Sequence, residues 1–180
     1  MSRRWIFGLA LDLNGNGRID DAGELFGNHT RLMNGTFAQN GYEALAQYDE
    51  PANGGNGNGI IDPGDAIFAR LLLWIDWNHD GKTDPGELLT LSAAGVVAID
   101  LTYHLGQRQD QYGNVFRYRG RALRSENHGD TREVTTYDVF FVPAEPPVSA
   151  SQGADELTAA RFGYCRAPVP VPLRKLARAW

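Results

Sequence analysis

Apolar and polar side chains alternate with a period of two over Val115–Leu123, which is the pattern of a half-buried strand. Two further segments rich in β-branched and aromatic residues, Val96–Tyr103 and Glu133–Val142, are also typical of strands. A Gln-Tyr-Gly-Asn turn at 111–114 separates the segments at 96–103 and 115–123. The pattern predicts a small antiparallel sheet over this part of the chain.

The first half has short apolar stripes with helical spacing instead. Tyr42, Leu45 and Tyr48 recur every third residue, which predicts a helix over 41–48. Short helices are also predicted at 63–70 and 85–91, while the apolar run 71–75 fits either a strand or a helix end. Helices followed by strands give an α+β fold class, in which loops bearing short helices precede the sheet.

An acidic, glycine-rich loop lies between these apolar segments at 76–87. Its spacing matches the twelve-residue EF-hand calcium loop, with Gly81 at the sixth position to supply the sharp turn. Carboxylate, amide and main-chain oxygens are hard ligands that suit calcium better than zinc or copper. The predicted ligands are the side chains of Asp76, Asn78, Asp80, Asp84 and Glu87 and the carbonyl of Lys82.

Two further segments resemble this loop but are incomplete. The first has its last acid one residue late, so that a bulge must bring Glu24 into the loop or Asp21 must replace it. Its other predicted ligands are Asp12, Asn14, Asn16, the Arg18 carbonyl and Asp20. The second has Gly54 where the first acid is expected, so that either Asp49 returns across a looped-out stretch or Asn53 or a water substitutes. Its remaining ligands are Asn56, Asn58, the Ile60 carbonyl, Asp62 and Asp65.

The Asp-Pro-Gly-acid sequences at 62–65 and 84–87 also read as helix starts, with aspartate as the cap and proline in the first turn. That interpretation is compatible with metal binding, because one residue can cap a helix and bind an ion. It leaves Asp76, Asn78 and Asp80 unexplained. The β-branched residues at the eighth loop position predict that Ile19 lies against Ile61.

Composition limits the function classes. The net charge is −5, and the acidic residues cluster in the loops. This charge argues against a nucleic-acid partner. The single cysteine excludes an internal disulfide, and no apolar run is long enough to span a membrane. The N-terminal stretch only faintly resembles a signal peptide. The prediction is one domain at 5–143 and a Pro/Ala-rich, mostly disordered tail at 144–180.

The segments NGNGRIDDAGELF at 14–26, GYEAL at 41–45 and LWID at 73–76 resemble a known family. It is the EF-hand-type calcium-binding region of large secreted bacterial proteins, including haemolysin-type (RTX) proteins. The resemblance implies a secreted setting, two to three calcium ions and other domains of a larger protein as partners. It implies no catalytic residues. Dockerins are the second choice, because the loop at 56–65 with the apolar residues behind it looks like half of one.

These observations favour a non-catalytic calcium-binding module whose fold is stabilised by the ion. The alternative is a dockerin-like adhesion or docking module. A hydrolase that uses paired carboxylates is disfavoured, because each candidate acid already has a place in a loop. The sequence therefore predicts neither catalytic residues nor an organic cofactor.

Overall fold

The computed structural model describes residues 8–78, 80–126 and 130–142. The tail predicted at 144–180 and His79 lie outside the described residues. The described part is mostly β-structure. Its strands are β1 (Gly8–Ala10), β2 (Ile60–Ile61), β3 (Leu72–Trp74), β4 (Leu88–Thr90), β5 (Val96–Gln109), β6 (Val115–Ser125) and β7 (Thr131–Phe140). One α-helix, α1 (Gly41–Ala46), and three short 3-10 helices (Ala22–Glu24, Pro51–Asn53 and Phe68–Arg70) complete the described elements.

The strands form two antiparallel sheets. The smaller has the order β1-β3-β4, with Leu9 opposite Leu73 and Leu73 opposite Leu89. The larger has the order β2-β5-β6-β7, and the two residues of β2 pair with Ile99 and Asp100. The prediction of an α+β fold with helix-bearing loops is therefore wrong, because within the described residues the helical content is one six-residue helix and three single turns.

Two of the predicted helices are replaced by turns. Gly86 has a φ of 89°, a left-handed conformation that ends any helix, and the chain continues directly into β4. At 63–70, the Ala66 N–H bonds to the carbonyl of Gly54 across the loop, so a 3-10 turn forms only at Phe68–Arg70. The undecided run 71–75 contains β3. Asp-Pro-Gly sequences thus start turns here.

A hydrophobic core lies between the two sheets and α1. The following members of this core are each more than nine-tenths buried: Leu9, Leu11, Leu45, Ile61, Ile67, Phe68, Leu71, Leu73, Leu91, Val96, Ile99 and Ala122. The acidic loops leave this core shortly after β1, α1 and β3, so their first residues follow segments that are packed in the core.

Helix α1 packs on the larger sheet at a glycine. A Cβ atom on Gly120 would lie 2.6 Å from Cε1 of Tyr42, so the tyrosine ring rests on the bare backbone of β6. The Tyr42 hydroxyl is 2.7 Å from Oγ1 of Thr136 on β7. The first amide of α1, that of Gly41, donates to Asp138 Oδ2 at 2.5 Å. These contacts join the first half of the chain to the sheet. Within the described residues, no helix is long and apolar enough to cross a membrane.

Candidate functional site: three acidic loops

The three loops share a frame in which an aspartate carboxylate accepts consecutive main-chain N–H groups. In loop 1 (12–24), Asp12 Oδ1 accepts from Gly15 at 2.7 Å and Asn16 at 3.2 Å, and Oδ2 accepts from Gly17 at 2.7 Å. In loop 3 (76–87), Asp76 accepts from Asp80 and Gly81 in the same way. Hydrogen bonds to a carboxylate stabilise its charged form.

Loop 2 (49–65) obtains its first carboxylate from a distance. Asp49 Oδ1 accepts from Gly57 at 3.0 Å and Asn58 at 3.2 Å, and Oδ2 accepts from Gly59 at 2.8 Å. The side chain of Asn53, the other candidate, donates instead to the carbonyl of Gln47. Asp49 therefore takes the place in loop 2 that Asp12 takes in loop 1.

Residues 50–55 loop out to make this return. Pro51–Asn53 form a 3-10 turn that ends at Gly54, whose φ of 87° is left-handed. Gly55 then passes against the start of the excursion, where an added Cβ would lie 2.2 Å from the Asp49 carbonyl carbon. Only glycine fits such a close approach.

A second carboxylate closes each loop. Glu87 Oε1 accepts from Trp77 at 2.8 Å and Oε2 accepts from Asp84 at 3.0 Å. Glu24 accepts from the N–H groups of Leu13 and Asp20, which are equivalent to those of Trp77 and Asp84. The extra residue of loop 1 is therefore accommodated before the glutamate. Asp21 does not replace it, because its carboxylate caps the 3-10 turn through Gly23. Asp65 closes loop 2 by accepting from Asn56 and Asp62.

The middle of each loop is a series of side-chain turns. Asn14, Asn56 and Asn78 each accept the N–H two residues later, at 2.9–3.0 Å. The next side chains of the series do the same for Arg18, Ile60 and Lys82, at 2.8 Å. The glycine immediately before Arg18, Ile60 or Lys82 has a φ of 77° in loop 1, 81° in loop 2 and 75° in loop 3, so all three loops have the same turn at this point.

Amide groups face the remaining carboxylate oxygens in two of the loops. Asn78 Nδ2 donates to Asp80 Oδ2 at 3.2 Å and to Asp84 Oδ2 at 2.7 Å. In loop 1, Asn16 Nδ2 donates to Asp20 Oδ2 at 2.9 Å. The positive end of an amide dipole therefore lies against carboxylates at the exposed side of these loops.

Loops 1 and 3 contact each other through Ile19 and Thr83. Thr83 Oγ1 accepts from the Ile19 N–H at 3.0 Å and donates to the Ile19 carbonyl at 3.1 Å. The prediction that Ile19 lies against Ile61 is wrong, because Ile61 is in β2 and pairs with Ile99 of β5. The loop pattern does not mark Thr83 as a pairing residue, because its hydroxyl, and not its backbone, makes the contact.

Metal-ligand groups do not form a preassembled cluster in the described residues: no three His, Cys, Asp or Glu side chains there are grouped so as to hold an ion. The expectation of a metal-binding cluster of acidic side chains is therefore wrong for this part of the chain. In the loops, main-chain N–H groups already bond to both terminal carboxylates, as for Asp76 and Glu87 in loop 3. What each loop offers a cation is a mixed set of hard oxygens from carboxylates, amides and main-chain carbonyls.

Comparison with known proteins corrects the family resemblance. A family model described as "SPM domain" matches residues 7–142, and neither an EF-hand nor a dockerin family is matched. The interpretation as a haemolysin-type EF-hand region built of loop repeats is therefore replaced by a single domain that spans both sheets. The descriptions of this chain as an EF-hand, RTX-like or repeat protein are therefore wrong as well.

One relative links the chain to a much longer protein. Iron-regulated protein FrpA from Neisseria meningitidis serogroup C is 41 % identical over 118 residues, which cover 66 % of this chain and 10 % of the relative. The chain thus spans about a tenth of the length of that curated relative.

Proposed function

We propose that this chain, which belongs to the SPM domain family, is a calcium-ordered module of a larger secreted bacterial protein. In this proposal, calcium binds at the three acidic loops and stabilises the packing of the loops on the two sheets. The relative's length supports the larger protein, because the match occupies a tenth of it.

The observation that carries the proposal is the environment of the Asn78 amide. Its Nδ2 atom lies within 3.2 Å of Asp80 Oδ2 and 2.7 Å of Asp84 Oδ2. A neutral donor at this place offsets only part of the repulsion between two carboxylates, whereas a divalent cation reverses it. The amide would then contribute its oxygen in place of its N–H group.

The mixed ligand set favours calcium and predicts weak binding. Calcium accepts six to eight oxygens in a flexible geometry, including amide and carbonyl oxygens, whereas magnesium demands a compact octahedron. Because two carboxylates in each loop are already held by N–H groups, few charged oxygens remain for the ion. We expect dissociation constants on the order of 10⁻⁴–10⁻³ M, the range of extracellular calcium modules.

The test is a thermal unfolding series on the full chain with chelator, with calcium and with magnesium. Calcium that binds only the folded state raises the melting temperature in proportion to the logarithm of its concentration. Asp80→Asn keeps the size of a side chain that contacts the amide, and we expect it to reduce the calcium response. Glu133→Gln, an exposed acid on β7 that pairs with Arg121, is the matched control.

The outcomes separate the calcium proposal from simple charge neutralisation. A larger rise with calcium than with magnesium or with sodium chloride at equal ionic strength, diminished by Asp80→Asn but not by Glu133→Gln, supports a bound ion. An equal response to all salts, or the same calcium response in both variants, overturns the proposal. Isothermal titration with calcium chloride then gives the number of ions.

A further inference from the structure

A largely apolar cleft opens between loop 1 and the segment 25–38. Its volume is about 320 Å³. Its lining includes Leu11, Leu13, Asp21, Phe26, Phe37 and Tyr48.

The walls of the cleft are aromatic and partly open to solvent. Phe26 and Tyr48 meet edge to face, with ring centroids 6.0 Å apart and an interplanar angle of 73°. Leu13 and Phe37 each keep 57 % of their surface exposed. Together with the aromatic walls, these side chains form an apolar surface that is open to another chain.

We propose that the cleft binds the proline-rich segment Ala167–Pro172 of the same chain. Proline-rich peptides dock in aromatic-lined grooves because their restricted backbone loses little entropy on binding. The segment Ala167-Pro168-Val169-Pro170-Val171-Pro172 offers an apolar side chain at every residue.

Charge favours this segment over the other prolines of the chain. Bases flank it at Arg166, Arg174 and Lys175, and no acid follows Glu156 in the sequence. Asp21 lines the cleft, and the same loop carries Asp12 and Asp20 against the single base Arg18. Arg31, whose guanidinium carbon lies 4.9 Å from the Phe37 ring centroid, occupies the side of the cleft where Phe37 stands. Asp21 therefore offers a partner for one of the two basic flanks at the loop 1 end of the cleft.

The connection is long enough for binding within one molecule. Twenty-five residues lie between Val142 and Pro168. A chain of that length reaches roughly 85 Å when extended, at about 3.3 Å per residue. Tethering at this length gives an effective concentration on the order of 1 mM, so even a weak peptide–cleft contact is populated.

The single cysteine permits a direct test on the full chain. Cys165 lies two residues before the proline-rich segment, so a nitroxide label there marks its position without any substitution. We expect the label to broaden the amide signals of 11–13 and 27–38 in a ¹⁵N spectrum and to leave those of β5 and β6 sharp. All samples are compared at one fixed calcium concentration, so the result does not depend on the calcium proposal.

Two pairs of variants make the test specific. Replacing Pro168, Pro170 and Pro172 by alanine should abolish the broadening, whereas the same replacement at Pro143, Pro146 and Pro147 should leave it. Phe37→Ala should abolish it, whereas Met33→Ala should not, because Met33 is 59 % exposed on the same segment but does not line the cleft. The exposure of both side chains means that the fold survives, which the same spectra report.

A mixture of labelled unenriched protein with ¹⁵N protein lacking the label distinguishes the occupants. Broadening within one molecule and none in the mixture supports the proposal. Broadening in the mixture identifies a second copy of the chain as the occupant and overturns docking within one molecule. Sharp cleft signals in both samples, or broadening that survives both Phe37→Ala and the triple replacement at 168–172, also overturns it.

Discussion

The hydroxyl of Thr83 makes two hydrogen bonds to one residue of another loop, accepting from the Ile19 N–H and donating to the Ile19 carbonyl. Ile19 is 5 % exposed, so water cannot replace these bonds freely. A side chain thus does what a strand backbone does elsewhere, and it fixes the positions of loops 1 and 3 relative to each other.

Replacing Thr83 by valine should therefore destabilise the domain. The substitution keeps the shape but leaves a buried donor and acceptor on Ile19 unpaired, which costs roughly 1–3 kcal/mol. Thr83→Ser keeps the hydroxyl and should lose much less. Urea unfolding of the three proteins measures the difference. Equal stability of the valine variant and the unsubstituted protein would show that the contact carries no net free energy.

Asp49 should matter more than its sequence context suggests. Its carboxylate accepts three N–H groups, and the residue as a whole is 8 % exposed. Asp49→Ala removes all three acceptors at once and should cost on the order of 2–4 kcal/mol even with chelator present. Glu50→Ala, at an exposed neighbour, is the control and should lie within about 0.5 kcal/mol of the unsubstituted protein. Chemical denaturation in the presence of chelator measures the stability of both variants. Similar losses of stability in the two would contradict the role of Asp49 as the first carboxylate of loop 2.

The strands of the second half were accessible from the sequence, whereas the fold class was not. The alternation at 115–123 predicts a strand, and β6 covers it with Phe116, Tyr118 and Ala122 buried. Aspartate-proline-glycine has the same capping chemistry at a helix start and at a turn, so 84–87 alone could not exclude a helix. In the structure, the left-handed φ of Gly86 makes this segment a turn. Two residues later the chain enters β4, which pairs with β3.

The acidic loops, too, were only partly predictable from the sequence. Spacing alone located the terminal acids of loop 3, because all its residues are contiguous. The return of Asp49 remained one of several alternatives, because six intervening residues set no fixed path. Close packing of Gly55 against Asp49 selects that path, and such contacts are a property of the folded chain. The Tyr42–Thr136 contact spans 94 residues, so no local pattern could reveal it.

The buried Tyr42–Thr136 pair should show coupling in a double-mutant cycle. Tyr42→Phe and Thr136→Val each leave a buried hydroxyl with one partner fewer, while the double variant removes both. The coupling energy should be about 0.5–1.5 kcal/mol, measured by urea unfolding. Additive losses would mean that the 2.7 Å contact is energetically neutral.

Tyr42 should also set the alkaline limit of stability. Burial raises its pKa from 10.0 to about 12, since the neutral hydroxyl is favoured inside the fold. The folded pKa lies above the unfolded one, so this stability is complete below pH 10 and is lost as the pH rises towards 12. The loss should be on the order of 2 kcal/mol and should disappear in Tyr42→Phe. Unfolding curves between these pH values test it; an unchanged alkaline loss in the variant would assign the effect to another group.

Asp138 should respond to pH in the acid range. Burial holds the pKa of its carboxyl above the usual range, and the Gly41 N–H that it accepts at 2.5 Å offsets part of that shift. Because the folded pKa is the higher one, Asp138 favours the fold at low pH and loses this contribution as the pH rises through the folded pKa.

Asp138→Asn keeps an acceptor for Gly41 without the charge. Its stability relative to the unsubstituted protein should therefore improve from acid to neutral pH. Urea unfolding at the two ends of this range measures the change, with Asp130→Asn on the exposed approach to β7 as control. A constant difference between Asp138→Asn and the unsubstituted protein across the range would show that burial does not perturb this carboxyl.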